Sequence, residues 1–453
     1  MNRCRQGRRC LASRLVSALA PVLLLSGSLH AGENSTIAGL IASPEPGWPQ
    51  FRGPRRDGIC DETGLLKSWP ASGPKLLWQT NGLGNGYSAP IITGGRIYLA
   101  GETNKELRIY CLDLGGRKMW ESPNGRAWDG PYPGARASCT YSEGRIYHLN
   151  GHGRIGCFDA ATGKELWAAN VLDRFGGKAP TWGIGENLLV DRKVVIVTPG
   201  GTRALMAALD KQTGATVWST EPLRLGAAPD AAHERLGRAE GEIDNCGYGS
   251  PLLFSFGQRR MIVSCSQRHV FGVDADTGQL LWTRPFPTRY LVIAATPVLV
   301  GDAVLVTAPD TDDGGKLFRI RGREGNISVE TVWTTSLDTC HGGVVSIRDA
   351  LYGSWYRQGK GWVCVDPATG VVRYQLKDTE MGSILWADKR LYCLSQDGEM
   401  ALLKPAADRF EVAGKFRLVA GRRKDVWTHP VILDRKLYLR AHDELFCFDV
   451  AGN

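Results

Sequence analysis

The chain of 453 residues is 43% hydrophobic and 9% aromatic, with 22% charged residues and 56 glycines. That apolar content excludes a disordered polymer, and much glycine with little charge suits many short strands joined by tight turns. The formal charge of +9 falls to +4 once the first 31 residues are set aside, and no Lys/Arg run interleaves with aromatics, which argues against a nucleic-acid interface.

The N-terminus reads as an export signal. Arg3, Arg5, Arg8, Arg9 and Arg14 precede an apolar stretch from Leu15 to Leu25, and small residues then lead to Ala31. This is the order of a secretory leader, cleaved after Ala31. The Arg8-Arg9 pair hints at twin-arginine export. The apolar stretch is short for a membrane span, and no Cys follows it closely enough for a lipid anchor. The expected mature protein is a periplasmic or secreted monomer without a transmembrane anchor. Residues 32–73 form an N-terminal extension packing on the main domain, residues 74–453.

A repeat dominates that domain. Asp159-Ala-Ala-Thr-Gly163-Lys-Glu-Leu-Trp167 is its clearest copy. Asp210 to Trp218 (turn Gly214), Asp274 to Trp282 (turn Gly278) and Asp366 to Tyr374 (turn Gly370) keep its spacing; Asp113 to Trp120 is one residue shorter. Trp333 and Phe416 end degenerate copies, and Trp78 completes a series of eight aromatics. A period of roughly 40 to 50 residues with several strands per unit is the mark of a propeller blade. In the second unit, Ala137–Tyr141 reads as a short inner strand, Arg145–Leu149 as the second, Ile155–Phe158 as the third and Glu165–Ala168 as the outer one. The Gly supplies the positive φ that such a turn needs. The Asp accepts from the turn's own amides, and the aromatic packs into the neighbouring blade.

The last unit stops inside its turn, at Asp449 to Asn453. Lys75-Leu-Leu-Trp78-Gln-Thr80 is an outer strand without a blade of its own. Lending it to the eighth blade closes the ring and removes an open sheet edge. The expected fold is all-β: an eight-bladed β-propeller of four-stranded antiparallel blades, closed by an N-terminal outer strand.

The repeat resembles the pyrroloquinoline-quinone (PQQ)-like propeller repeat, whose units end in a DxxTGxxxW-type motif. Trp48-Pro-Gln-Phe-Arg-Gly-Pro-Arg-Arg-Asp-Gly58, then Glu62-Thr-Gly-Leu-Leu66 and Trp69-Pro70, is similar to the start of secreted PQQ-like propellers of planctomycete type. His341-Gly-Gly-Val344, Trp427-Thr-His429-Pro430 and Leu437-Tyr-Leu-Arg440 extend the likeness, which covers Trp48 to Val450. It implies fold more than function. The same propeller serves the outer-membrane assembly factor BamB, a scaffold, and the quinoprotein alcohol dehydrogenases.

Ten cysteines follow the leader. Cys111, Cys157, Cys364 and Cys447 each lie two residues before a repeat Asp, where Ala208 and Gly272 stand in other units. This is a slot for small core side chains. Equivalent positions on adjacent blades lie about 10 Å apart, beyond the roughly 7 Å reach of a disulfide. Cys265 and Cys393 read as core. Cys60, Cys139, Cys246 and Cys340 are left open, the last three near inner strands.

Quinoproteins use a vicinal Cys pair, a Ca²⁺ and a Trp stacked on the quinone. No two cysteines are adjacent in this chain, no haem-attachment motif exists, and Asp310-Thr-Asp-Asp-Gly-Gly315 lacks the downstream Glu of a calcium loop. Trp182 and Trp427 as stacking groups, Arg136 as a carboxylate partner, and Glu380 with Asp244 or Asn245 are the best quinone site the chain can assemble. The ligand surface is expected at the funnel mouth: Arg136, Trp182, Tyr248, His341, Glu380, Trp427 and His429. Two insertions, Glu121–Arg136 and Ser219–Cys246, are expected above it. Cys340 and His341, on one strand, would point opposite ways. These readings favour a non-catalytic binding or scaffold propeller for exported or envelope proteins, with no cofactor or metal required. A PQQ- and Ca²⁺-dependent dehydrogenase and a carbohydrate or small-ligand binder are the alternatives.

Overall fold

A computed structural model describes residues 35–226, 241–311, 314–323, 326–419 and 425–452. The leader, Arg422-Arg423-Lys424 and much of the second insertion lie outside them. Eight sheets, each built on four antiparallel strands, follow one another around the ring. The second is typical: Thr140–Ser142, Arg145–Leu149, Arg154–Asp159 and Glu165–Asn170 run from axis to rim. Its inner strand starts at Thr140 rather than Ala137, because residues 137–139 are loop at the mouth. In the first blade the outer strand runs over Lys118–Arg126, so the start of the first insertion, through Arg126, is sheet and not cap.

The repeat motif is a joint between blades. In the second blade the Asp159 carboxylate accepts from the amides of Ala161 and Thr162 and from the Thr162 hydroxyl, at 2.7–3.0 Å. Gly163 follows at φ +75°. The indole of Trp120, from the first blade, lies on that glycine: a Cβ there would come within 2.6 Å of the ring. The Trp120 Nε1–H donates to Ala160 O at 3.2 Å. The same arrangement joins Trp78 to Gly116, Trp167 to Gly214, Trp218 to Gly278 and Trp333 to Gly370. Tyr374 donates its hydroxyl to Ala406 O instead.

Trp282 departs from the series. The fifth blade has no Asp-x-x-Thr-Gly turn to receive it, so it folds onto its own sheet, over Gly272 and against the Met261 sulfur. The slot two residues before each Asp also has its reason. Cys157, Ala208, Gly272, Cys364 and Cys447 stand in register opposite the aromatic of the same blade, where only a small side chain leaves room for the ring. All ten described cysteines are free and buried.

Lys75–Thr80 pairs with Glu444–Asp449 as the outer strand of the eighth blade. The turn joining these strands is assembled from two distant pieces of chain. Asp449 accepts from the Ala451 amide at 3.0 Å, as Asp159 does from Ala161. The glycine is Gly73, at φ +79°, and Phe416 of the seventh blade packs on it as the tryptophans pack elsewhere.

The segment before that strand crosses the centre of the ring. Trp48 exchanges backbone bonds with Ile92 of the first blade. Arg56, buried, donates to Asn187 O and Leu188 O of the third blade. Arg52, also buried, donates to Val344 O of the sixth. Ile59–Cys60 then adds a parallel strand to the seventh blade, and Ile37–Leu40 an antiparallel one to the fourth. Neither strand is visible in the sequence pattern, nor is the one short helix among the described residues, Val171–Phe175, capped by Asn170.

Two tests follow from the joints. Removing Lys75–Thr80 should lower the denaturant midpoint of the whole ring, whereas a circular permutant carrying those residues after Asn453 should fold; a deletion that melts like the parent contradicts the closure. Gly163→Ala should cost about 2–4 kcal/mol, combining left-handed strain with overpacking against Trp120. Trp167→Ala should cost about 2–3 kcal/mol, below the full value for a buried indole, because this ring is only half-buried. Urea midpoints decide both.

Candidate functional site

The loops that lead into the inner strands turn side chains toward the axis, most of them four residues before the strand starts, so the eight blades supply one ring of side chains. Tyr87, Arg136, Trp182 and Tyr248 come from the first four blades. Val292, His341, Met381 and Trp427 come from the other four. Together they line a funnel of about 390 Å³, and Phe51 of the crossing segment joins the lining.

One wall is an aromatic cluster. The Trp427 ring stacks on Tyr87 at 4.8 Å and 30°, and meets Tyr132 at 5.2 Å and His341 at 4.6 Å. Across the ring of blades, Trp182 and Tyr248 pair at 6.0 Å. His429 lies deeper, edge-on to Phe51 at 4.8 Å, and donates its Nε2–H to His341 O at 2.9 Å. Burial holds both imidazoles neutral, lowering His341 to about 4 and His429 to about 3. Burial also pushes the Cys340 thiol up to about 12, so it is no nucleophile at neutral pH.

Two loops at the mouth are held from behind by carboxylates. Glu102, buried, accepts from the amides of Trp128 and Gly134 at 3.0 and 2.7 Å. Arg136 caps the same loop, donating to the carbonyls of Pro131, Tyr132 and Gly134, with its guanidinium 5.4 Å from the Trp128 ring. This presents Tyr132, half exposed and at φ +54°, over Trp427. On the other side, Asp338 accepts from three successive amides, Tyr356, Arg357 and Gln358, at 2.7–2.9 Å. Arg357 pairs with Asp310 at 2.8 Å and lies over the rings of Tyr290 and Tyr356.

Of the seven residues singled out in the sequence, six line the funnel: Arg136, Trp182, Tyr248, His341, Trp427 and His429. Glu380 does not. Its neighbour Met381 lines the funnel, while the Glu380 carboxylate accepts from Gln396 at 2.9 Å. Asp244 is likewise committed, to Ser266 and His269. Arg136 is spent on its own loop and is no free carboxylate partner. Cys340 and His341 both line the funnel, because residues 338–341 are not strand and the alternation expected there does not apply. Of the second insertion, none of the described residues before Tyr248 reaches the lining.

Sequence reasoning missed Phe51, Tyr87, Tyr132, Tyr290 and Tyr356. Tyr87 holds the place in the first blade that Tyr248 holds in the fourth, a signal that alignment of the units could have used. Tyr356 and Tyr290 sit in loops with no periodic pattern.

The family profile described as "Outer membrane protein assembly factor BamB" matches residues 105–370 and 249–409. The quinoprotein ethanol dehydrogenase of Pseudomonas aeruginosa is 25% identical over 281 residues, 54% of this chain and 40% of its own. BamB of Burkholderia pseudomallei is 25% identical over 264 residues, 58% and 62% of the two chains. The match thus spans less than two thirds of either relative. Among solved structures, BamB of Moraxella catarrhalis superposes with a TM-score of 0.57 at 14% identity, covering 83% of this chain and 99% of its own. The quinohemoprotein alcohol dehydrogenase of Comamonas testosteroni gives 0.57 at 13% identity, covering 90% and 81%. With well over half its length matched by the profile, the chain belongs to the BamB-type family of PQQ-like repeat β-propellers.

Proposed function

We propose that this chain is an exported, non-catalytic binding propeller whose recognition site is the aromatic funnel. The observation that carries this reading is the lining itself. Every blade contributes to one pocket of small-molecule size, and its acids and bases are already engaged with the protein. Catalysis needs a nucleophile, base or acid poised for the reacting atom. Here the two histidines are neutral and deep, the lining cysteine is a high-pKa thiol, and Asp310 is held by Arg357.

A calcium-bound quinone is a poor fit to these residues. Both lining arginines that could meet its carboxylates are taken, Arg136 by its own loop and Arg357 by Asp310. No group of three His, Cys, Asp or Glu among the described residues is placed to hold a metal ion. The scaffold reading keeps one observation in its favour. Leu77, Met119, Leu166 and Val217, on the outer strands of four successive blades, are exposed apolar side chains, a rim that an envelope protein could cover.

Titrating the protein with a fragment library of saccharides, organic acids, amines and aromatics, read by tryptophan fluorescence, should give saturable hits that Trp427→Ala abolishes. Dye reduction with PQQ, Ca²⁺ and a panel of alcohols and sugars should stay at background. PQQ-dependent turnover contradicts the reading.

The neutral imidazoles have a consequence for stability. Below pH 6.5 the unfolded chain binds protons that folded His341, His429 and the core His148 (lowered to about 4) refuse. Stability contributed by these groups is therefore complete above that pH and falls as the pH drops toward 4. Urea midpoints between pH 7.5 and 4.5 should show the fall, and a His341→Asn/His429→Asn variant should show a shallower one.

A further inference from the structure

We infer that the funnel takes the end of a neutral saccharide chain. This rests on the funnel being a binding site and adds the class of its ligand.

Charge comes first. The charged lining residues are two arginines and two aspartates, so the lining is formally neutral once the histidines are uncharged. None of these four is idle. Arg136 has three carbonyls, Arg357 has Asp310, and Asp425 has a partner of its own. A carboxylate or phosphate entering here would lose its hydration and find no uncommitted cation to replace it. An organic cation would meet the same difficulty with the aspartates.

Shape and polarity then separate the neutral candidates. Aromatic rings wall the pocket on two sides, Trp427 with Tyr132 on one and Trp182 with Tyr248 on the other. The phenol groups of Tyr87, Tyr132 and Tyr290 add hydroxyls that both donate and accept. A purely aliphatic ligand would cover these hydroxyls and leave them unpaired, at a cost. A sugar ring satisfies both demands, because its C–H faces pack on aromatic rings while its equatorial hydroxyls reach the phenols. The floor is occupied by Phe51 and the crossing segment, which Arg52 and Arg56 pin to opposite parts of the ring. A polymer therefore enters by its terminus rather than threading through. The volume suits about one or two sugar rings, within the usual range of small-ligand pockets.

Tyr132 is the residue that reads the ligand at the mouth. It is half exposed, and its loop is fixed before binding by Glu102 and Arg136, so little ordering entropy is lost on capture.

The test uses the full chain on an array of neutral di- to hexasaccharides, followed by calorimetry on the best hits. Uronic-acid oligomers, PQQ with Ca²⁺ and a proline-rich peptide are run in parallel. The expected result is saturable binding of a neutral saccharide that changes less than about twofold between low and high salt, since no counterions are released. Tyr132→Ala and Trp427→Phe should each weaken it about tenfold or more, with melting temperatures near the parent's for Tyr132→Ala. Binding of the charged oligomers, the peptide or PQQ in place of neutral saccharides, lost in the same variants, overturns the ligand class but keeps the funnel as the site. Saccharide binding indifferent to both variants, or no binding of any probe, overturns the saccharide site, and the latter removes the funnel reading too.

Discussion

The molecule depends on one contact repeated around a ring: an aromatic ring laid on the turn glycine of the next blade. A four-stranded sheet buries its two faces only against neighbours, so no blade is stable alone. The indole on glycine sets how closely two blades approach at the rim, and its Nε1–H fixes their relative height through one hydrogen bond to a carbonyl. Glycine is required twice over, for its positive φ and for the missing Cβ. The fourth blade shows what happens without a receiving turn: Trp282 withdraws onto its own sheet, and the hydrophobic cluster of Phe286 and Phe318 fills the gap between the fourth and fifth blades.

Spacing at the rim dictates the funnel at the axis. The inner strands are short, and the loops before them converge, so side chains such as Tyr87, Tyr248 and Trp427 meet although they come from remote parts of the chain. Carbonyls of the loops that lead into the inner strands would otherwise stay buried without donors. Arg52, Arg56 and Arg440 solve this with buried guanidiniums, whose planar donor sets match several carbonyls at once. Arg440 alone donates to Gly84, Ser88, Ala100 and His442. Burial lowers the pKa of each to about 10, still far above neutrality, so the charge is kept and spread over carbonyl dipoles.

The legible part of this architecture is the part that repeats. Asp159, Gly163 and Trp167 declare a turn and a joint because their chemistry recurs in other units, and the unfinished eighth unit points to Lys75–Thr80. The mouth residues Arg136, Tyr248, His341 and Trp427 could be placed because each stands four residues before an inner strand. What does not repeat was not legible. The strands Ile37–Leu40 and Ile59–Cys60 carry no alternation of their own and take their structure from the sheets they join. Glu380 was misplaced because it lies in a loop, where no alternation tells which of two neighbours lines the funnel; Met381 does, and Glu380 bonds Gln396 instead. Gly73 gave no sign of its role, because the Asp that shares its turn lies at the far end of the sequence.

That split turn gives the molecule an order of assembly. Each ordinary blade is built from hairpins of neighbouring residues and can form as its segment becomes available. The seam cannot: Gln79 meets Glu444 across 365 residues. Closing so long a loop costs roughly 4 kcal/mol more chain entropy than closing a short hairpin. The seam should therefore zip last in folding and part first in unfolding, as the clasp of a bracelet does. Until it closes, the strand Lys75–Thr80 has no sheet to join, and a chain in that state is an open arc rather than a ring.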